Sequence, residues 1–276
     1  MILVNNPGSW SHLYGPLAHA PWHGCTPTDL VFPFFLFAVG NALSFVMPRL
    51  QAAGQAAFLK KVFTRSLLIF LIGLFLHWSP FVKWDDGELV FKHWVDPENP
   101  NSGIRILGVL QRIALCYLFA SLIIYYFKIN GALFTSFLLL LVYWVLCALL
   151  GNPNDPYSLA GYFGTDIDKA VLHVPHMYKG EGVPFDPEGI ASTLPAIVQV
   201  IFGYMAGYYI QKKGKNYEML SHLFVAGCIL IVTGLAWDMA FPINKKIWTS
   251  SYVVYTTGLA IMVISVLIHL VELKEH

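Results

Sequence analysis

The sequence predicts an all-α protein, a polytopic integral membrane helical bundle, and three observations predict it. Of its 276 residues, 57% are hydrophobic and only 12% are charged, with a mean hydropathy of +0.60. A soluble domain carries about 25% charged residues. Apolar runs recur at the roughly 20 residues that a helix needs to cross the hydrocarbon core. Lysine and arginine gather in alternate connections between those runs, as in chains that cross a membrane repeatedly.

Backbone polar groups in lipid must be satisfied within the segment, so each run is read as a helix. Seven full spans follow, at about 29–48, 62–80, 105–127, 131–150, 190–211, 219–241 and 250–271. The residues before Asn6 read as the stub of one more helix. Met1-Ile-Leu-Val is too short for the apolar core of a signal peptide and lacks its basic flank. Residues 1–276 read as a single transmembrane domain without repeats or low-complexity tracts.

One set of connections is short and basic: Arg49 with Lys60, Lys61 and Arg65, then Lys128, then Lys212, Lys213 and Lys215. These are expected in the cytoplasm. The other set, about 7–28, 81–104, 151–189 and 242–249, is longer and more acidic and is expected on the far side. Lys245 and Lys246 run against that pattern. Seven histidines, His12, His19, His23, His77, His93, His173 and His176, fall on or near the far face. There, an imidazole beside an apolar wall can do acid–base or nucleophilic work.

A net charge of +1 leaves no footprint for nucleic acid. Cys25, Cys116, Cys147 and Cys228 are scattered without metal-binding spacing and read as small hydrophobes. No metal is expected.

Four segments carry a resemblance. The first is Met1-Ile-Leu-Val-Asn-Asn-Pro-Gly, followed by His19-Ala-Pro-Trp-His-Gly-Cys-Thr-Pro-Thr-Asp-Leu-Val-Phe-Pro. The others are Arg105-Ile-Leu-Gly-Val-Leu-Gln-Arg-Ile, Asp186-Pro-Glu-Gly-Ile-Ala-Ser-Thr-Leu and Pro242-Ile-Asn-Lys-Lys-Ile-Trp-Thr-Ser-Ser. In this order they span nearly the whole chain, and together they resemble the heparan-alpha-glucosaminide N-acetyltransferase family and its bacterial relatives. The resemblance implies an acetyltransferase that takes acetyl from cytosolic acetyl-CoA, as co-substrate, to an amino sugar of a glycan across the membrane. It implies a bacterial inner membrane with the His19 loop in the periplasm. The expected partners are the lipid bilayer, the glycan acceptor and, in an oligomer, further copies of the chain. The family has a complete helix before Asn5 and more helices after the last span, so this chain reads as shortened at both ends. His23 stands where asparagine is common in the family.

The family's catalytic histidine matches His19, which can act as general base or hold the acetyl group as an acyl-imidazole. Asn5 matches the asparagine of the preceding helix; its amide can donate to a thioester oxygen or cap a helix end. Asp29 can satisfy free N–H groups of the helix it precedes, or orient His19 as the carboxylate of a dyad, or do both.

Trp22 and His23 are placed with the substrate. Arg105 and Arg112, seven apart, are expected on one helical face with Gly108, and Gln111 and Arg112 fall well inside the span. The two arginines either bind phosphate or pair with Asp29, Asp186 or Glu188. Lys60, Lys61 and Arg65 are better placed for CoA phosphates, or simply mark the cytoplasmic side. Asp186 and Glu188 either answer a helix dipole or bind the acceptor, and Asn244 and Lys245 join them on that face. Trp248 is read as an interfacial anchor rather than a sugar platform. The rival functional classes are a secondary transporter or proton-coupled carrier and an inactive membrane scaffold.

Overall fold

The computed structural model describes residues 8–9, 12–85 and 87–274. The expected N-terminal stub, with Asn5, lies outside them. In chain order the elements are α1 (Val31–Ala52), α2 (Gln55–Trp78), β1 (Val82–Asp85), β2 (Glu88–Phe91), α3 (Val109–Leu150), α4 (Gly164–Leu172), α5 (Ile190–Lys213), α6 (Tyr217–Asp238) and α7 (Ser250–Ile268). The protein is a helical bundle with one small antiparallel hairpin, β1–β2.

Five described helical elements are long and apolar enough to cross a membrane: α1 with the turn ahead of it, α3, α5, α6, and α7 with its tail. Of these, α3 corresponds to two of the expected spans. Arg112 and Tyr143 would lie roughly 46 Å apart along a straight helix at 1.5 Å per residue. Yet the Arg112 guanidinium sits 5.1 Å over the Trp248 ring, and the Tyr143 hydroxyl bonds to the adjacent Ile247 carbonyl. The element therefore doubles back at Lys128, whose φ of 55° and ψ of −167° leave the helical region. The remaining expected span corresponds to α2. It is 24 residues long, carries Lys60, Lys61 and Arg65 in its first half, and is not one of the five.

The central element is α5. In its apolar window 78% of residues are buried, against 28% in α6 and 22% in α3, which face outward. α5 packs closely on α1 because both carry glycine at the crossing. A Cβ on Gly40 would fall 1.8 Å from the Val200 carbonyl oxygen, and one on Gly203 would fall 2.0 Å from that of Phe37. Small residues let membrane helices approach this closely, where dispersion rather than a hydrophobic driving force holds them.

The start of α1, the end of α2, both ends of α3 and the starts of α5 and α7 meet at one mouth of the bundle. At the opposite end Gln55 Nε2 donates to the Tyr126 hydroxyl at 2.9 Å, and Lys213 and Lys215 pair with Glu218 and Glu272 at 3.3 and 2.6 Å.

Candidate active site at one mouth of the bundle

The loop before α1 is organised by one buried carboxylate. Thr26-Pro27 starts a tight turn, Pro27–Leu30, and Asp29 occupies its third position. From there Asp29 Oδ2 accepts the backbone N–H groups of Ala20 and Thr26, each at 3.0 Å. Asp29 Oδ1 lies 2.6 Å from His19 Nδ1. The Tyr252 hydroxyl donates to the Asp29 carbonyl oxygen at 2.6 Å and ties this turn to α7. Of the two expectations for Asp29, the pairing with His19 matches this geometry and the capping of the following helix does not: one oxygen closes the turn and the other meets the imidazole. The N–H groups it satisfies belong to the loop behind it, not to the first turn of α1.

Lys245 completes the cluster, with Nζ 3.3 Å from Asp29 Oδ1 and 3.0 Å from His19 Nδ1. A carboxylate receiving several donors acts only as an acceptor, so the 2.6 Å contact puts the proton on Nδ1. Lys245 then donates to Asp29, and in the neutral tautomer the His19 lone pair is on Nε2. Burial lowers the Lys245 pKa below the usual lysine value, against the opposing pull of Asp29. Burial pushes the neighbouring Cys25 thiol up to about 12, which keeps it neutral. The His19 side chain is 49% exposed, whereas that of Asp29 is 1% exposed. The arrangement is a solvent-reachable imidazole on a buried charged mount.

His19 opens on a cavity of about 190 Å³ lined by Trp22, Asp29, Glu181, Glu188, Lys245, Lys246 and Trp248, among others. Trp22 is fixed at both ends: its indole N–H donates to the Tyr157 carbonyl at 2.8 Å, and its ring packs 5.6 Å from that of Phe185. Lys246 lies 5.6 Å over the Trp22 ring and pairs with Glu181 at 2.7 Å.

Arg105 stands behind Glu188. Its guanidinium bonds Asp186 Oδ1 at 2.5 Å and Glu188 Oε2 at 2.6 Å, and lies 4.7 Å over Tyr178. Burial opposes the Arg105 charge, but the hydrogen bond and charge of Asp186, then Glu188, outweigh it and raise the pKa. The segment carrying Arg105 is not helical. His77 Nδ1 donates to the Arg105 carbonyl at 2.8 Å and His176 Nδ1 to that of Ile104 at 2.7 Å, so two imidazoles pin it outside the helix.

This corrects the expectation that Arg105, Gly108 and Arg112 share a helical face. α3 begins at Val109, Gly108 is its extended N-cap, and Gln111 and Arg112 occupy the first turn. Arg105 pairs with Asp186 and Glu188, but Arg112 pairs with none of the expected carboxylates. It donates to the Gly189 carbonyl at 3.1 Å and to the Ser192 hydroxyl.

Trp248 also departs from expectation. It is not an interfacial anchor but is 1% exposed, packed between Phe32, Tyr252 and Arg112. Its φ of 52° lies in the left-handed region that bulky residues rarely adopt. Asn244 is buried within its own turn, its Oδ1 accepting the N–H groups of Lys246 and Ile247 at 2.7 and 3.1 Å. His23 Nδ1 lies 3.4 Å from Asn244 Nδ2. His23, Asn244, Arg105, Arg112 and Asp186 therefore stand outside the cavity lining, while His19, Trp22, Asp29, Glu188 and Lys245 form part of it. Glu181 and Lys246 were not anticipated there. The one available signal was the Lys245-Lys246 pair, basic in an otherwise acidic set of connections.

A helical bundle with apolar outer faces and an ion-paired imidazole at one mouth defines an integral membrane protein with a polar site at its edge. No family model matches the chain. Two curated proteins do: the heparan-alpha-glucosaminide N-acetyltransferase of Homo sapiens is 26% identical over an aligned length of 334 residues, covering 99% of this chain and 47% of the human protein. That of Mus musculus is 25% identical over 331 residues, with the same coverage. The chain spans about half the length of the curated relatives it matches. It is a distant relative of these N-acetyltransferases.

Proposed function

We propose that the chain carries the acetyl-transfer site of a membrane N-acetyltransferase, with acetyl-CoA as donor and an amino sugar as acceptor. The observation that carries this reading is the His19–Asp29–Lys245 cluster at the mouth of a 190 Å³ cavity, in a chain whose relatives are named for N-acetyl transfer to a glucosaminide.

The sugar amine attacks the thioester carbonyl, a C–N bond forms and the C–S bond breaks. His19 Nε2 takes the proton the amine loses and returns it to the departing CoA thiolate. Asp29 holds Nδ1–H and so keeps Nε2 aimed outward and basic. The same lone pair can instead accept the acetyl group and pass it on as an acyl-imidazole. Glu181 and Glu188 offer acceptors to the hydroxyl and ammonium groups of a sugar, and Trp22 offers a flat face.

The basic ends of α1, α2 and α5 favour the cytoplasm by the positive-inside rule, so the His19 mouth faces the opposite compartment, the periplasm if the membrane is bacterial. Acetyl-CoA then arrives from the lysine-rich end, and its thioester crosses the bundle to reach His19.

The test is transfer of labelled acetyl from acetyl-CoA to glucosamine by membranes expressing the chain in its complete reading frame, beside His19→Ala. Transfer that the substitution abolishes supports the reading. Transfer that survives removes His19 from the mechanism. A well-folded protein that neither transfers acetyl nor binds acetyl-CoA overturns the reading altogether.

A further inference from the structure

We propose that the β1–β2 hairpin is a membrane-interface anchor whose apolar face lies in the headgroup layer of the bilayer surrounding the bundle, on the side of the His19 cavity. The register pairs Val82 with Phe91 and Trp84 with Leu89. Side chains alternate along a strand, so these four share one face of the hairpin, and Lys83 and Val90 share the other. All four are exposed: Trp84 at 72%, Leu89 at 57%, Phe91 at 53% and Val82 at 37%. A two-stranded hairpin is marginal in water by itself, and among the described residues the ring contacts of this apolar face are those of Phe91 with Trp78 and His93, which leave all four side chains exposed.

The occupant follows from continuity. The hairpin comes directly after α2, whose exposed side chains Leu67, Leu71, Ile72, Phe75 and Leu76 form an apolar outer surface running up to Trp78. The hairpin face extends that lipid-facing band at the level where a membrane ends. Aromatic residues concentrate there, with Trp78, Phe81, Phe91 and Trp94 in ring contact, as in interfacial belts. On the polar side Lys83 pairs with Asp96 at 2.8 Å. Lys92 reaches the Ser79 carbonyl at 3.3 Å. Long lysine stems of this kind reach along apolar surface and place their ammonium groups at headgroup depth.

The anchor also bears on the site. From it the chain continues through Trp94, whose carbonyl accepts the Ile104 N–H at 3.0 Å, to Arg105 and its carboxylates. Docking the hairpin steadies the segment that presents Arg105.

The test uses the protein reconstituted in nanodiscs with nitroxide-labelled phospholipids, comparing the wild type with Trp84→Phe so that the difference isolates Trp84 emission. The expected result is a blue-shifted Trp84 signal, lost with a nitroxide near the headgroup, retained with one at the bilayer centre and spared by aqueous iodide. A red-shifted signal quenched by iodide alone overturns the proposal. So does a signal protected from both quenchers, which would mean the face is covered by protein, a second copy included. A Trp84→Asp, Leu89→Asp variant gives a second reading. It should match the wild type in detergent melting yet lose the extra stability the wild type gains in bilayers. Equal gains in both proteins also overturn the proposal.

Discussion

Replacing Asp29 by asparagine removes one charge from a group whose two oxygens hold the whole mouth of the bundle together. Oδ1 serves His19 at 2.6 Å and Lys245 at 3.3 Å, while Oδ2 serves two backbone N–H groups at 3.0 Å. An asparagine has one acceptor oxygen, so its NH2 must face either the imidazole side or the backbone pair, and donor then meets donor. Lys245 also loses its only ion pair among the described residues. Removing one partner of a buried pair costs about 3–5 kcal/mol. With the Lys245 side chain 23% exposed, the lower end, about 3 kcal/mol, is expected. Freed from its mount, His19 is no longer held in one tautomer and orientation, and general-base catalysis worth roughly a hundred- to ten-thousand-fold is at risk. The assay is labelled acetyl transfer together with thermal unfolding in the same nanodiscs. Asp29→Asn should unfold at a lower temperature and lose at least the lower figure in rate, measured where it is still folded. Wild-type melting and wild-type transfer together would refute the reasoning, because they would mean that neither the ion pair nor the imidazole mount matters.

Burial raises the pKa of Asp168 in α4 from 3.8 to about 7, so the folded state holds this proton more tightly than the unfolded state. Stability from this group is complete below about pH 4, falls as pH rises towards 7 and is then level, a difference of about 4 kcal/mol by linkage. Asp168→Asn keeps an acceptor for the Ile190 N–H, bonded at 2.8 Å; melting midpoints from pH 4 to 8 should be flatter than in the wild type, and parallel curves would exclude Asp168 as the source. Gly40→Ala drives a methyl group into the Val200 carbonyl, where backbone cannot yield as a flexible side chain would. It should cost at least about 1–3 kcal/mol, read as a lower melting temperature in detergent, and an unchanged midpoint would mean that α1 and α5 are not in close contact at that point.

The sequence by itself determined that the long apolar runs are helices, though not all of their ends: α2 begins at Gln55 and α3 at Val109. Lipid offers the backbone no hydrogen bonds, so an apolar run of sufficient length has one stable form, and the runs around 29–48, 190–211 and 250–271 became α1, α5 and α7. Lys128 between two runs marked the reversal inside α3. The His19–Asp29 pair was also legible, because the two residues are ten positions apart in one loop and the turn at Pro27 brings them back together.

Only the tertiary structure decided what surrounds that pair. Lys245, Glu181 and Glu188 come from loops far apart in the chain, and side-chain convergence depends on how helices pack, which periodicity does not encode. The depth of Trp248 is of the same kind. Tryptophan near a membrane edge usually anchors at the interface, but the turn at Asn244 folds this one inward against Phe32 and Tyr252. Arg105 and Arg112 looked like helical neighbours because seven residues make two turns. The imidazoles of His77 and His176 bond the carbonyls of Arg105 and Ile104 and hold that segment outside the helix instead, and hydrogen bonds spanning 28 and 72 positions cannot be read from a local pattern.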